Sequence, residues 1–112
     1  MTTVLPRTLL VIPCYNEAAR LPTGIIETFA RQSEYAELLL VNDGSTDTTA
    51  TELDAMAARC PNITALHLPA NAGKAEAVRQ GILAGLTRQT EFVGYWDADM
   101  ATPLEELEHL LH

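Results

Sequence analysis

Two carboxylates stand two residues apart in Asp97-Ala98-Asp99. In an extended segment, residues i and i+2 project to the same side. Carboxylates so placed repel each other unless a cation sits between or beside them. Mg²⁺ and Mn²⁺ take such oxygen ligands and keep positions open for phosphate oxygens. The competing reading is an acidic start to a following helix, favoured by the helix dipole. A bare Asp-x-Asp does not choose between the two.

Lys74 is the one lysine in the chain, and it follows Gly73 at the start of a helical stretch. A cation there opposes the helix dipole. That small cost makes sense beside an anion such as a diphosphate; the alternative is an exposed lysine tip. In Asn42-Asp43-Gly44-Ser45-Thr46-Asp47, a turn and a helix cap account for Gly44 and for Ser45 or Thr46. Asp43 is left over, and its carboxylate can accept a hydrogen bond from a nucleobase imide. Pro13-Cys14-Tyr15-Asn16-Glu17 adds a further acid. Cys14, Cys60 and His67 lack the convergent spacing of a zinc site. Cys14 has no evident base partner and is not read as a nucleophile. Tyr95 and Trp96 are read as core residues rather than stacking platforms.

The elements that must position these residues follow from hydropathy. Thr8-Leu9-Leu10-Val11-Ile12 and residues 37–41 are apolar runs that predict strands buried on both faces. Residues 63–68 and 91–96 predict two more strands. Between them lie helical spacings. Pro22 suits a first helical position, with Ile25, Ile26 and Phe29 inward. Thr46 or Asp47 caps a second helix carrying Leu53, Ala57 and Cys60. A third starts near Lys74, with Ala75, Val78, Ile82 and Leu86 inward. A fourth starts at Thr102-Pro103-Leu104-Glu105 as a capping box, with Leu107 and Leu111 continuing its stripe. The order βαβαβαβα predicts a Rossmann-like parallel sheet with helices on both faces, a three-layer αβα sandwich. All strand C-terminal ends then share one edge, where ligands bind in such sheets. Glu17, Asp43, Lys74, Asp97 and Asp99 all gather there.

Composition bounds the function. The chain has 112 residues, 47% hydrophobic and 20% charged, with a formal net charge of −8. That length fits one domain, residues 1–112. The acidic balance argues against nucleic acid as a partner. Residues 81–112 alone hold six acids against one arginine. No window approaches the roughly 20 apolar residues that span a bilayer. Met1-Thr2-Thr3-Val4 does not start a signal peptide, and two cysteines fit a reducing, cytoplasmic setting. A phospho-receiver needs an acid after the third strand, where Pro69-Ala70-Asn71 stands. The Gly-x-Gly-x-x-Gly of dinucleotide domains and the P-loop are absent too. The chain stops within or just after the fourth helix, which suggests part of a longer enzyme. Such a part would expose apolar surface, so a homodimer is a further expectation.

Four motifs in order resemble glycosyltransferase family 2. They are Ile12-Pro13-Cys14-Tyr15-Asn16-Glu17, Val41-Asn42-Asp43-Gly44-Ser45-Thr46-Asp47, Asn71-Ala72-Gly73-Lys74, and Asp97-Ala98-Asp99. Asp97-Ala98-Asp99-Met100-Ala101-Thr102-Pro103 and Arg20-Leu21-Pro22 further resemble the dolichyl-phosphate glucosyltransferase branch. The resemblance implies the nucleotide-binding half of a GT-A fold. It implies that Pro13, Tyr15 and Glu17 line the nucleotide pocket and that Asp43 contacts uracil. It implies Lys74 near the base or the diphosphate, Asp97 at the ribose and metal, and Asp99 on Mg²⁺ or Mn²⁺. The implied reaction is inverting transfer of glucose from UDP-glucose to a polyprenyl phosphate at the cytoplasmic membrane face. GDP-mannose or a saccharide acceptor is the alternative within the family; a non-catalytic nucleotide-binding domain is the alternative outside it. The acceptor site and catalytic base are expected beyond residue 112, so this part alone is expected to be inactive.

Overall fold

The computed structural model describes residues 5–98, 103–104 and 106–111, without the side chains of Glu108 and His109. Asp99, and the Thr102 and Glu105 of the expected capping box, lie outside the described residues.

The two apolar runs become the centre of the sheet. Strand β1 covers Thr8–Cys14 and β2 covers Ala36–Asn42. They pair in parallel with Leu10 opposite Leu38 and Ile12 opposite Leu40. Strand β3 (Ile63–His67) joins the outer side of β2, and β4 (Phe92–Tyr95) the other side of β1. The order is β3-β2-β1-β4, all parallel. Alternation along the strands divides the core into two layers. Leu10, Ile12, Leu38 and Leu40 face one side, where Ile26, Leu53, Met56, Leu104 and Leu107 cover them. Leu9, Val11, Leu39 and Val41 face the other side, against Ala77. Helices α1 (Thr23–Gln32), α2 (Thr49–Arg59) and the short α4 (Glu106–Leu111) therefore share one face. Helix α3 (Lys74–Gly85) covers the opposite one. Among the described residues, no helix is long and apolar enough to cross a membrane.

The inward face of α3 differs from the expected one. Ala77, Gly81 and Gly85, four residues apart, are its buried positions, whereas Ala75 is exposed and Leu86 is 67% exposed. Only Ile82 of the expected stripe joins the core cluster. The reason is close approach. A Cβ on Gly81 would stand 2.4 Å from Val11 Cγ1, and one on Gly85 2.3 Å from Leu9 Cδ2. Small residues let the helix lie against the sheet, so large side chains mark the wrong face here.

Helix α1 shows a second departure. Ile26 is buried but Ile25 is half-exposed, and Glu27 is buried instead. Its carboxylate accepts hydrogen bonds from Arg59 Nε at 2.7 Å and Nη2 at 3.2 Å. Those bonds, with the charges of Arg59 and Arg31 nearby, outweigh burial and hold the Glu27 carboxyl below the usual carboxylate range. The pair ties α1 to the end of α2. Tyr95, expected in the core, is 53% exposed, while Trp96 is buried.

Candidate functional site

After β1 the backbone enters the left-handed region at Asn16, with φ of 49°. Asparagine tolerates that conformation better than most side chains. There Asn16 becomes a junction between two loops. Its N–H donates to Ser45 Oγ at 3.0 Å, and its Oδ1 accepts the Thr46 N–H at 2.8 Å. The next N–H, that of Glu17, donates to Thr49 Oγ1 at 2.9 Å. Asp47 completes the junction by accepting the Thr49 N–H and hydroxyl. These bonds, the Thr49 hydroxyl first, hold the Asp47 carboxyl below its ordinary range. The cap position of α2 is Thr48, one residue beyond the expected Thr46 or Asp47, and its side chain makes no capping bond; Asp47, just before it, accepts the N–H of the first helical residue instead. Tyr15 and Glu17 flank the junction, so their positions are set by both loops.

Asp43 sits at the tip of β2 and is 2% exposed. Its Oδ1 accepts the Ala72 N–H at 2.8 Å. Its Oδ2 accepts the Gly73 N–H at 3.0 Å and Asn71 Nδ2 at 3.1 Å. The carboxylate therefore holds the turn that precedes α3. Gly44 makes room for that turn, because a Cβ there would fall 2.2 Å from the Asn71 nitrogen. Gly73, at φ of 97°, then directs the chain into α3 at Lys74.

Lys74 Nζ bonds Asp97 Oδ1, and both side chains are more than half exposed. The same ammonium lies 5.5 Å from the centre of the Tyr95 ring, within cation–π range. Glu17 pairs with Arg20 at 3.5 Å. Cys14 lies buried beneath; burial first, and the negative charge of Glu17 second, push its thiol up to about 12. A thiol so protonated is no nucleophile at neutral pH.

These groups enclose one cleft of about 380 Å³. Pro13, Tyr15, Glu17, Asp43, Lys74 and Asp97 all border it, joined by Cys14, Asn71, Gly73 and Ala98. Every strand contributes its C-terminal end or the loop after it. The six described residues expected at the site are brought together; Asp99 lies outside the described residues. Asn16 and Asn71 are site residues that the sequence pattern alone does not single out. The signal for Asn16 was its tolerance of positive φ in a tight loop; for Asn71 it was the polar cluster already seen after the third strand.

Among the described residues no three His, Cys, Asp or Glu side chains converge as a ready metal cage. Asp43 is engaged by three donors of the turn, and Glu17 faces Arg20. Asp97 is the exposed carboxylate at the cleft, a hard oxygen donor. One or two such donors fit Mg²⁺ or Mn²⁺, which draw the rest of their shell from phosphate oxygens and water.

Comparison with known proteins gives a consistent picture. Residues 9–112 match the model of Glycosyl transferase family 2. A dolichyl-phosphate beta-glucosyltransferase (ALG5C) of Trichomonas vaginalis is 39% identical over 111 residues, covering 92% of this chain and 32% of that protein. A polyprenol monophosphomannose synthase of Mycolicibacterium smegmatis is 36% identical over 106 residues, covering 94% and 40%. Among solved structures, a mannosyltransferase from Pyrobaculum calidifontis in complex with GDP-Man and Mn²⁺ superposes with a TM-score of 0.71. It is 26% identical, over 93% of this chain and 30% of that one. The chain spans about a third of the length of the glucosyltransferases it matches.

Proposed function

The chain belongs to glycosyltransferase family 2, and from that premise we propose that its cleft binds the nucleoside diphosphate of a sugar donor. The whole protein would transfer a hexose from that donor to a polyprenyl phosphate at the cytoplasmic membrane face. Glucose from UDP-glucose is the favoured donor group, since the dolichyl-phosphate glucosyltransferases are among its relatives. The observation that carries the reading is the meeting of Lys74 and Asp97 in one cleft with Pro13, Tyr15 and Glu17.

The residues divide the work by chemistry. Pro13 and Tyr15 offer apolar surface to a base and ribose. Lys74 offers a positive charge to the diphosphate. Asp97, with Asp99, would hold Mg²⁺ or Mn²⁺. When bound, that ion supplies Lewis-acid stabilisation of the departing nucleoside diphosphate. An oxygen of the acceptor phosphate attacks the anomeric carbon from the opposite side, the bond to the diphosphate breaks, and the configuration inverts. The acceptor phosphate enters as an anion, so its attacking oxygen has no proton to lose, and the base expected beyond residue 112 would be needed only for a hydroxyl acceptor. The acceptor site belongs to the rest of the protein in this reading.

A second reading has support of its own. The mycobacterial mannose synthase and the archaeal mannosyltransferase favour a GDP-mannose donor on the same scaffold. A thermal-shift panel with UDP, GDP, UDP-glucose and GDP-mannose, each with and without Mn²⁺, separates the two. A ligand that binds the native state raises the midpoint by mass action. A Mn²⁺-dependent shift with uridine nucleotides is the expected result. A guanosine preference would replace glucose by mannose, and the lack of any shift would defeat the nucleotide reading.

A further inference from the structure

We propose that His67, at the end of β3 and outside the cleft, is a positioning residue that sets the first wall of the cleft through Asn42, and does so only while its ring is neutral. The effect on binding rests on the nucleotide reading of the cleft. Leu66 and Leu68 turn to the side of the sheet covered by α3, so His67 between them turns to the side that carries α2. There its Nε2 lies 2.7 Å from Asp54 Oδ1, and its Nδ1 lies 3.1 Å from Asn42 Nδ2. The Asn42 oxygen is already engaged, accepting the Ser45 N–H at 3.0 Å. A backbone N–H only donates, so the amide oxygen must face Ser45 and the amide nitrogen must face the ring. That nitrogen also only donates. His67 Nδ1 is therefore the acceptor, and the proton sits on Nε2, which donates to Asp54. One tautomer of the neutral ring satisfies every partner.

An imidazolium has two N–H donors and no acceptor. Charging the ring sets its Nδ1–H against the Asn42 amide nitrogen. Turning the amide over moves the conflict to Ser45, whose N–H then faces nitrogen. Asn42 is 4% exposed, so water relieves neither arrangement. Asp54 favours the charge, but the two side chains are 37% and 65% exposed, and such open pairs contribute little. Among the described residues, the other ionisable groups on the packed elements are engaged or turned away. Asp43 is held by its turn, and Arg59 by Glu27. Glu52, two residues from Asp54, points to another side of α2. The loop 69–73 carries no charge, and α3 covers the opposite face. Ser45 carries the effect to the cleft. Its Oγ accepts the Asn16 N–H at 3.0 Å, and Asn16 stands between Tyr15 and Glu17, which border the cleft.

Titration of the chain with UDP in Mn²⁺, at about pH 7.5 and about pH 5.5, brackets the ordinary histidine value of about 6.5. It is done on wild type, His67→Asn and His67→Leu. Asparagine puts an amide oxygen near the place of Nδ1 and does not titrate, so it should restore binding at both pH values. Leucine offers no acceptor at either. Titration of the nucleotide itself affects all three proteins alike and cancels in the affinity ratio to His67→Asn. That ratio should fall about fivefold for wild type between the higher and the lower pH. For His67→Leu it should be about fivefold down at both. In the unliganded chain, the Ser45 amide signal in an NMR pH titration should move with the His67 ring, and stay in place in His67→Asn. The proposal is overturned, with the nucleotide reading left standing, by a wild-type profile parallel to that of His67→Asn, by full binding in His67→Leu at the higher pH, or by a Ser45 amide that ignores the ring. Failure of wild type to bind UDP at the higher pH overturns the nucleotide reading and, with it, the proposed effect on binding.

Discussion

Lys74 and Asp97 meet across the cleft although they belong to different strand-helix units, Lys74 opening α3 and Asp97 following β4. The pair explains how a lysine is tolerated where the dipole of α3 disfavours a cation. It also means that an arriving metal–diphosphate must share or replace each partner. Asp97→Asn should therefore remove the Mn²⁺-dependent part of the nucleotide thermal shift. Lys74→Met should weaken nucleotide binding about tenfold yet keep its dependence on Mn²⁺. Melting curves across a Mn²⁺ series read both. If Asp97→Asn left the metal dependence intact, the ion would have to sit elsewhere.

Asn16 offers a test of the junction that shapes the first wall of the cleft. Its positive φ and its side-chain bond to Thr46 make separable contributions. Asn16→Gly keeps the backbone conformation and loses the bond, so it should cost about 1 kcal/mol. Asn16→Ala loses the bond and adds strain, so it should cost about 2 kcal/mol or more. Urea denaturation of the three proteins gives the order. Equal losses for Gly and Ala would show that the strain does not matter.

How much of this is legible in the sequence depends on the kind of interaction. The runs at residues 8–12 and 37–41 are apolar at every position, and only a strand covered on both faces explains that at such length. The strands therefore lay within two residues of their expected ends, and the gathering of Glu17, Asp43, Lys74 and Asp97 followed from topology. The face of α3 was not legible, because hydropathy counts large side chains and Gly81 and Gly85 carry none. Nor was the burial of Glu27, whose partner Arg59 is 32 residues away and unmarked by any local pattern. The engagement of Asp43 by three donors was equally hidden, since two of those donors are backbone N–H groups that every sequence supplies.

The Glu27–Arg59 pair predicts a definite pH dependence. The folded carboxyl titrates below its unfolded value of about 4.3, because Arg59 donates to the ionised form. The stabilisation is therefore complete above that unfolded value and is lost as pH falls through the lower folded one. Glu27→Gln should cost about 2 kcal/mol near neutral pH, moderated by the half-exposed Arg59. The gap between wild type and variant should shrink below about pH 4. The Glu76–Arg79 pair is a built-in control. Arg79, and after it Gln80, bring the Glu76 carboxyl down to about 2, yet the pair lies on the surface of α3. Water competes for it, so Glu76→Gln should change stability little. Denaturant midpoints measured from pH 3 to 8 would show a pH-independent gap for Glu27→Gln if burial of the pair were incidental.

The small-residue face of α3 sets the distance between that helix and the sheet, and hence the height of Lys74 above the cleft. Adding one methyl at either glycine should separate two effects. At Gly81 the new Cβ meets Val11 Cγ1 at 2.4 Å and Val41 Cγ2 at 3.0 Å. Both are short, branched side chains on central strands with nowhere to turn, so the helix itself must move. At Gly85 the nearest atom is Leu9 Cδ2, the far end of a longer side chain that can change rotamer. Overpacking of a closed core costs typically 1–3 kcal/mol, set against the better helix propensity of alanine, worth about 1 kcal/mol. Gly81→Ala should therefore be destabilised by about 1 kcal/mol, and Gly85→Ala should be close to neutral. Because moving α3 displaces Lys74, Gly81→Ala should also weaken UDP binding with Mn²⁺, whereas Gly85→Ala should not. Thermal melts with and without nucleotide report both quantities on the same samples. Wild-type stability and binding in Gly81→Ala would mean that the helix does not depend on that contact to hold its place.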